Sequence, residues 1–200
     1  MFVWTAIYIE SQLEDLRDSV LRISEENGVR CPLKFLPLHV SLKISFDVPR
    51  KRLDECIDAI CEYYRTVGPF TMEVEGFELN PGIIWVRMKE NQRLAEIHAK
   101  LDEIVEKQFG IAPHEFDKAF IYHCTLLTDE TEKLRTVMPL VENLPCPSKL
   151  YARSFLIGIS EDGLPGTFMV YKHSHLGSEF SVREQWEEFD KDSPKNRDDQ

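Results

Sequence analysis

Two histidines in this chain are each followed, two positions on, by a hydroxyl side chain and then by leucine: His39, Ser41 and Leu42 within "PLHVSL", and His123, Thr125 and Leu126 within "YHCTLL". In an extended strand, residues i and i+2 share a face. Each stretch therefore presents an imidazole beside a hydroxyl, while Val40, Leu42, Cys124 and Leu126 turn toward a core. Lys43 falls on the face of His39 and Ser41 and adds a cation there. With Ser plus Thr at roughly one residue in eight and large apolar residues at about one in three, six histidines give about 0.25 chance matches to H-x-[ST]-apolar. One copy would mean little; two in equivalent settings are a signal.

The inventory suits displacement at phosphorus. Histidine has an ordinary pKa near 6.5, so one imidazole can accept a proton while another supplies one. An in-line displacement needs that division, with a base on the entering oxygen and an acid on the leaving oxygen. The Ser41 and Thr125 hydroxyls can donate hydrogen bonds to the non-bridging oxygens, where negative charge concentrates. A strongly bound metal is not required by this scheme.

The elements that must position these groups follow from periodicity. "FVWTAIYI" (2–9) is short, apolar and rich in β-branched and aromatic residues, as a buried strand should be. A helix follows, with Ser11 and Glu14 spaced as a capping box and Asn27-Gly28 as its stop. The histidine strand "LHVSLKISF" comes next, then a helix from Pro49 to about Thr66 whose inward residues include Cys56 and Cys61. "FTMEVEGFEL" alternates as a strand, and Asn80-Pro81-Gly82 turns into "IIWVRM". The order then repeats: a helix from about Asn91 to Phe109 stopped by Gly110, the strand "FIYHCTLL", a helix over roughly 130–143, and strands "YARSFLIGI" and "TFMVYKH". Val3 to His39 is 36 residues and Ile83 to His123 is 40, so the histidines occupy equivalent places in two similar halves. The chain thus reads as one bilobal domain over 1–177, with halves of about 1–81 and 82–177. A tail at 178–200 combines a possible short amphipathic helix, "VREQWEEF", with a charged, apolar-poor end expected to be disordered.

The totals set further bounds. An apolar fraction of 42% supports a real core in 200 residues. The N-terminus lacks the basic region and cleavage site of a signal peptide, and no run approaches the roughly 18 to 20 apolar residues of a membrane span. Five cysteines without CxxC spacing argue against a disulfide framework or a structural zinc site, so a reducing cytoplasm is expected. A net charge of −11 argues against a protein that tracks along nucleic acid, and no DNA partner is expected. Yet Arg30, Lys34, Lys43, Arg50, Lys51 and Arg52 face only Asp47 in that stretch, so the one locally basic segment surrounds His39.

Paired "HVSL" and "HCTL" motifs about 80 residues apart in a two-lobed α/β chain resemble the 2H phosphoesterase superfamily, which includes the bacterial 2′-5′ RNA ligase-like cyclic phosphodiesterases. The resemblance spans the element order of residues 1 to about 176, with eight residues as its specific part. It implies an α+β fold of two pseudo-twofold-related, mostly antiparallel sheets with outer helices and a central cleft. It also implies metal-independent, cofactor-free hydrolysis or transfer at 2′,3′-cyclic or 2′-5′ phosphodiesters. His39 and His123 would be the acid/base pair, and Ser41 and Thr125 would hold the phosphate. Ser41 stands where Thr is also common, a departure that keeps the hydroxyl.

Three functions are compatible with this reading. One is a phosphodiesterase for RNA 3′ ends carrying a 2′,3′-cyclic phosphate; another acts on small nucleotides with cyclic or 2′-5′ linkages; the third is a non-catalytic nucleotide or RNA-end module. The acidic balance favours the small nucleotide over long RNA. Lys43, and Tyr171 and His173 on the last strand, are candidate substrate contacts, the aromatic ones by stacking on a base. His173 and His175 share a face as a metal pair would, but no carboxylate or cysteine pattern completes a site. Trp85 reads as core, and His98 and His114 have no partner visible in sequence. A monomer is expected, with no metal and no membrane contact.

Overall fold

The computed structural model describes residues 1–164 and 166–177. The tail at 178–200, with the helix and disorder expected of it, lies outside these described residues. Twelve main elements run in the order β1 (Phe2–Tyr8), α1 (Glu14–Asn27), β2 (His39–Asp47), α2 (Leu53–Thr66), β3 (Phe70–Asn80), β4 (Ile83–Met88), α3 (Gln92–Phe109), β5 (His123–Thr128), α4 (Thr131–Glu142), β6 (Lys149–Ala152), β7 (Ser154–Ser160) and β8 (Met169–His175). Most helix boundaries follow the signals in the sequence. Gly28 and Gly110 end α1 and α3 in the left-handed conformation, and the Asn91 side chain accepts from the Arg93 and Leu94 amides at the start of α3. The Ser11–Glu14 capping box does not form. A 3-10 turn at Glu10–Gln12 takes up Ser11, α1 begins at Glu14 with no side-chain cap, and Glu10 instead accepts from the Leu38 amide.

Two four-stranded antiparallel sheets result, ordered β2-β1-β7-β8 and β5-β4-β3-β6. The division between them does not fall at residue 81. β3, the last strand of the first half, pairs with β4 in the second sheet, while β7 returns to pair with β1 in the first and carries β8 on its other edge. The run "YARSFLIGI" is accordingly two strands, split at Arg153, with β6 on β3 and β7 on β1. The helices exchange as well: α3 packs against β2 and α2, and α1 packs against β5 and α4. One continuous apolar core, including Ile7, Leu42, Tyr64, Val86, Leu101, Leu126 and Val141, runs through both lobes.

Both motif strands are edge strands, and they contact each other where the lobes meet. Each also contains a bulge at the same place. On β2, Ser41 lies opposite Ala6 but Lys43 lies opposite Thr5, leaving Leu42 as the extra residue. On β5, Thr125 lies opposite Trp85 but Leu127 lies opposite Ile84, leaving Leu126 extra. A bulge shifts the alternation by one and re-aims the side chains after it.

Candidate active site

The bulges separate the motif residues from their successors. His39 and Ser41 stay on the face of Tyr8 and Ala6, whereas Lys43 shares the face of Thr5, whose hydroxyl is 2.6 Å from Tyr64 Oη on α2. Lys43 is 3% exposed, and its ammonium bonds the carboxylates of Asp102 and Asp117, the latter at 2.8 Å. The expectation that Lys43 shares the face of His39 and Ser41 and adds a cation there is therefore corrected: Lys43 borders the same cleft from the other face, with its charge already engaged. The i, i+2 rule fails across a bulge, and two carboxylates distant in sequence already take up its charge. Although burial works against the charge, Lys43 and the His114 amide hold the Asp117 carboxyl below its usual range.

Each bulge also frees a carbonyl from the ladder, and each is met by a side chain. His98 Nδ1 donates to the Leu42 carbonyl at 2.7 Å, and Cys31 Sγ donates to the Leu126 carbonyl at 3.4 Å. His98, without a visible partner in sequence, is thus buried on α3 as part of the frame behind β2. Among the described residues, one group of three potential metal ligands lies together, His98, Asp102 and Asp117, and Lys43 already bonds both its carboxylates.

The two catalytic candidates have matching local geometry. His39 Nδ1 lies 2.7 Å from the carbonyl of Pro37, and His123 Nδ1 lies 2.7 Å from the carbonyl of Ile121. A carbonyl only accepts, so each Nδ1 carries the proton and each Nε2 is the group available for chemistry. Each imidazole also packs, tilted, against an indole: Trp4 with His39 at a centroid separation of 4.7 Å and 31° between the ring planes, and Trp85 with His123 at 4.1 Å and 34°. Trp4 reaches His39 across Ala6, which offers only a methyl, and lies over Gly158 of β7, where a Cβ would come within 2.2 Å of the indole nitrogen. Burial pushes both histidines below their ordinary pKa; the carbonyl bonds oppose the shift at each, and Glu78 opposes it further at His123.

Both histidines, both tryptophans and Ser41 line a single cleft of about 560 Å³. Its remaining walls are largely apolar, from Leu36, Ile44, Phe116, Phe120, Ile121 and Phe168, and Lys43 and Glu115 are the charged residues bordering it. Thr125 shares the face of His123 and lies opposite Trp85, but is not among the residues lining the cleft. Neither the Ser41 nor the Thr125 hydroxyl has a protein hydrogen-bond partner among the described residues, which leaves both free to donate. Cys124, between His123 and Thr125, is buried against the His39 backbone, and burial pushes its thiol up to about 12. Tyr171 is 51% exposed at a bulge in β8 and does not line the cleft. His173 does not line it either; its ring lies 4.5 Å from that of Tyr8, the register partner of His39, and its Nε2 is 3.0 Å from Ser154 Oγ.

Comparison with known proteins bears on the family and the fold. The model of the 2′-5′ RNA ligase superfamily matches residues 9–157. The chain belongs to this superfamily. Similar solved structures include TT0787 of Thermus thermophilus, at 18% identity and a TM-score of 0.60 over 90% of this chain and 100% of that one. E. coli LigT complexed with 3′-AMP matches at 14% identity and a TM-score of 0.56, over 88% of this chain and 98% of LigT. A further crystal structure, of a phosphoesterase, matches at 16% identity and a TM-score of 0.53 over 88% and 98%. At these identities the likeness establishes the two-lobed 2H phosphoesterase fold. No curated protein sequence matches the chain. Among the described residues, no helix is long and apolar enough to cross a membrane.

The sequence reading missed the paired tryptophans, since an indole in an apolar strand reads as core. The alternation of Trp85 and Arg87 on one strand face was the available hint. It also missed the aromatic walls, because Phe116, Phe120 and Phe168 come from separate connections with no shared pattern.

Proposed function

We propose that the protein is a metal-independent phosphodiesterase that opens 2′,3′-cyclic phosphates, on RNA ends or small nucleotides, by two-histidine acid/base catalysis. One observation carries this reading: both imidazoles are held through Nδ1 by the carbonyl two residues back, and both line one cleft. Attack by water forms a new P–O bond as one Nε2 accepts the water's proton. The ring P–O bond breaks as the other Nε2–H protonates the departing ribose oxygen, leaving a phosphomonoester. Ser41 and Thr125 donate to the non-bridging oxygens as their charge grows. The apolar walls strengthen these interactions by excluding water.

The engagement of Lys43 favours a substrate with a single phosphodiester. The cleft has no unpaired Lys or Arg lining it among the described residues to meet a second phosphate or a long backbone. Structures of LigT include one with 3′-AMP, a nucleoside monophosphate of similar size. The test is incubation of a nucleoside 2′,3′-cyclic phosphate and of a short RNA ending in one, in excess EDTA, with mass spectrometry of the products and His123→Ala as control. Ring opening by the wild type alone supports the proposal. Absence of turnover on both substrates, or turnover abolished by EDTA, would overturn it.

A further inference from the structure

The two half-sites differ in what stands behind the indole. Trp85 Nε1 donates to Glu78 Oε2 at 3.2 Å, and Arg87 Nη1 lies 3.4 Å from the same oxygen. Trp4 Nε1 is buried and has no hydrogen-bond partner among the described residues. A carboxylate thus stands beyond the ring that supports His123, and nothing of the kind supports His39.

We infer that Glu78 is a positioning residue that makes His123 the proton donor and His39 the proton acceptor of the ring opening; the assignment rests on the reaction proposed above. The charged groups on the His123 side are Glu78 of β3, which acts on the imidazole, and Arg87 of β4, which is paired in turn with Glu75; Glu115 borders the cleft that both histidines share, and His39 faces from the other strand. Arg87 lies opposite His123 in register, but its guanidinium is shared between Glu75, at 3.0 Å, and Glu78, at 3.4 Å. The two acids outnumber the one base, so this group leaves a net negative charge that favours an imidazolium at 123. Around His39 stand Trp4 and Tyr8 of β1, His173 against Tyr8, the buried Cys124 of β5, His123 itself, Lys43 held by Asp102 and Asp117, and Glu10, which accepts from the adjacent Leu38 amide and pairs with Arg17. The acids in this group are each paired with Arg17 or Lys43 and none stands behind Trp4, while a proton on His123 disfavours a second one on His39. As pH falls, the first proton therefore goes to His123, leaving Nε2 of His39 free to take the proton of water. Glu78 also fixes the acid's position, because its bond to the indole holds the ring against which the imidazole packs.

The Cε1–H resonances of the two histidines, followed by NMR against pH, test this without any substrate. His123 is expected to titrate above His39. Glu78→Gln is expected to lower the His123 titration and leave that of His39 in place, and Glu78→Asp is expected to restore most of the difference. Trp85→Phe keeps a ring under His123 but releases the carboxylate, and should move His123 in the same direction as Glu78→Gln. With an active substrate, removal of the charge moves the alkaline limb of kcat/KM to lower pH. The expected loss is about threefold to tenfold above the optimum, with values below it within about twofold of wild type. A His39 titration at or above that of His123 would overturn the assignment. So would equal movement of both, or of neither, in a Glu78→Gln protein with a native spectrum. Because the titration requires no turnover, absence of ring opening would count against the reaction and leave the asymmetry to be judged separately.

Discussion

The half-site around His39 and the half-site around His123 share a local plan and differ in their supports. In both, an edge strand begins at the histidine, Nδ1 bonds the carbonyl two residues back, an indole lies against the ring, and a bulge follows the hydroxyl residue. Behind that plan, the Leu42 carbonyl is met by His98 and the Leu126 carbonyl by Cys31. After the bulge stands Lys43 on one strand and Leu127 on the other, both buried. Trp4 is located by packing over Gly158, and Trp85 by a hydrogen bond to Glu78. The shared features are those the backbone can build within a few residues. The differing ones are contributed by distant segments, and it is they that can assign different roles to two similar histidines.

The comparison can be broken most directly at the imidazoles. His39→Ala and His123→Ala are each expected to lower kcat about 10²- to 10⁴-fold on a cyclic phosphate substrate. If one loss were below tenfold, the two histidines would not act as a pair. The next contrast lies just past the bulges. Lys43→Met strands two carboxylates and should cost about 3 to 5 kcal/mol in urea unfolding, whereas Leu127→Met should cost less than about 1.5 kcal/mol. A Lys43→Met protein of native stability with a raised KM would instead return Lys43 to the role of a substrate contact. Gly158→Ala tests how Trp4 is held. Its new methyl meets the indole, so a loss of about 1 to 3 kcal/mol and a changed near-UV tryptophan signal are expected, with the Trp85 side unaffected.

The smallest effect concerns pH and stability. Both imidazoles are pushed down by burial, so just below pH 6.5 the unfolded chain binds more protons than the fold does. Stability contributed by the neutral rings is present above pH 6.5 and declines as pH falls toward their folded values. Unfolding midpoints at pH 7 and pH 5 should show this decline. His39→Gln should flatten it more than His123→Gln, because Glu78 offsets part of the burial effect at His123 alone.

Much of this was legible in the chain, and the limits have definite causes. The H-x-[ST] pairs, the Gly28 and Gly110 stops and the start of α3 near Asn91 are short-range features, readable because helix and strand periods and terminal backbone groups act within a few residues. The same locality explains the errors. Ser11 and Glu14 have capping-box spacing, but the 3-10 turn at Glu10–Gln12 takes up Ser11. "YARSFLIGI" reads as one strand by pattern, yet it serves two sheets, since pairing depends on which edges are available. Lys43 has the right spacing to join His39, and although it still borders the cleft, one bulge sends its ammonium to Asp102 and Asp117.

By itself, the sequence determined which chemistry was available: two imidazoles, two hydroxyls and the strands to display them. Tertiary structure decided that both histidines and Ser41 line one cleft, that the local basic segment leaves no free cation from Lys43 there, and that a carboxylate stands behind one indole and not the other. The reason is physical. Side-chain direction along a regular strand is a local property, whereas register shifts, strand exchange and the partners of a buried charge are settled only when segments dozens of residues apart compete for the same space and the same hydrogen bonds.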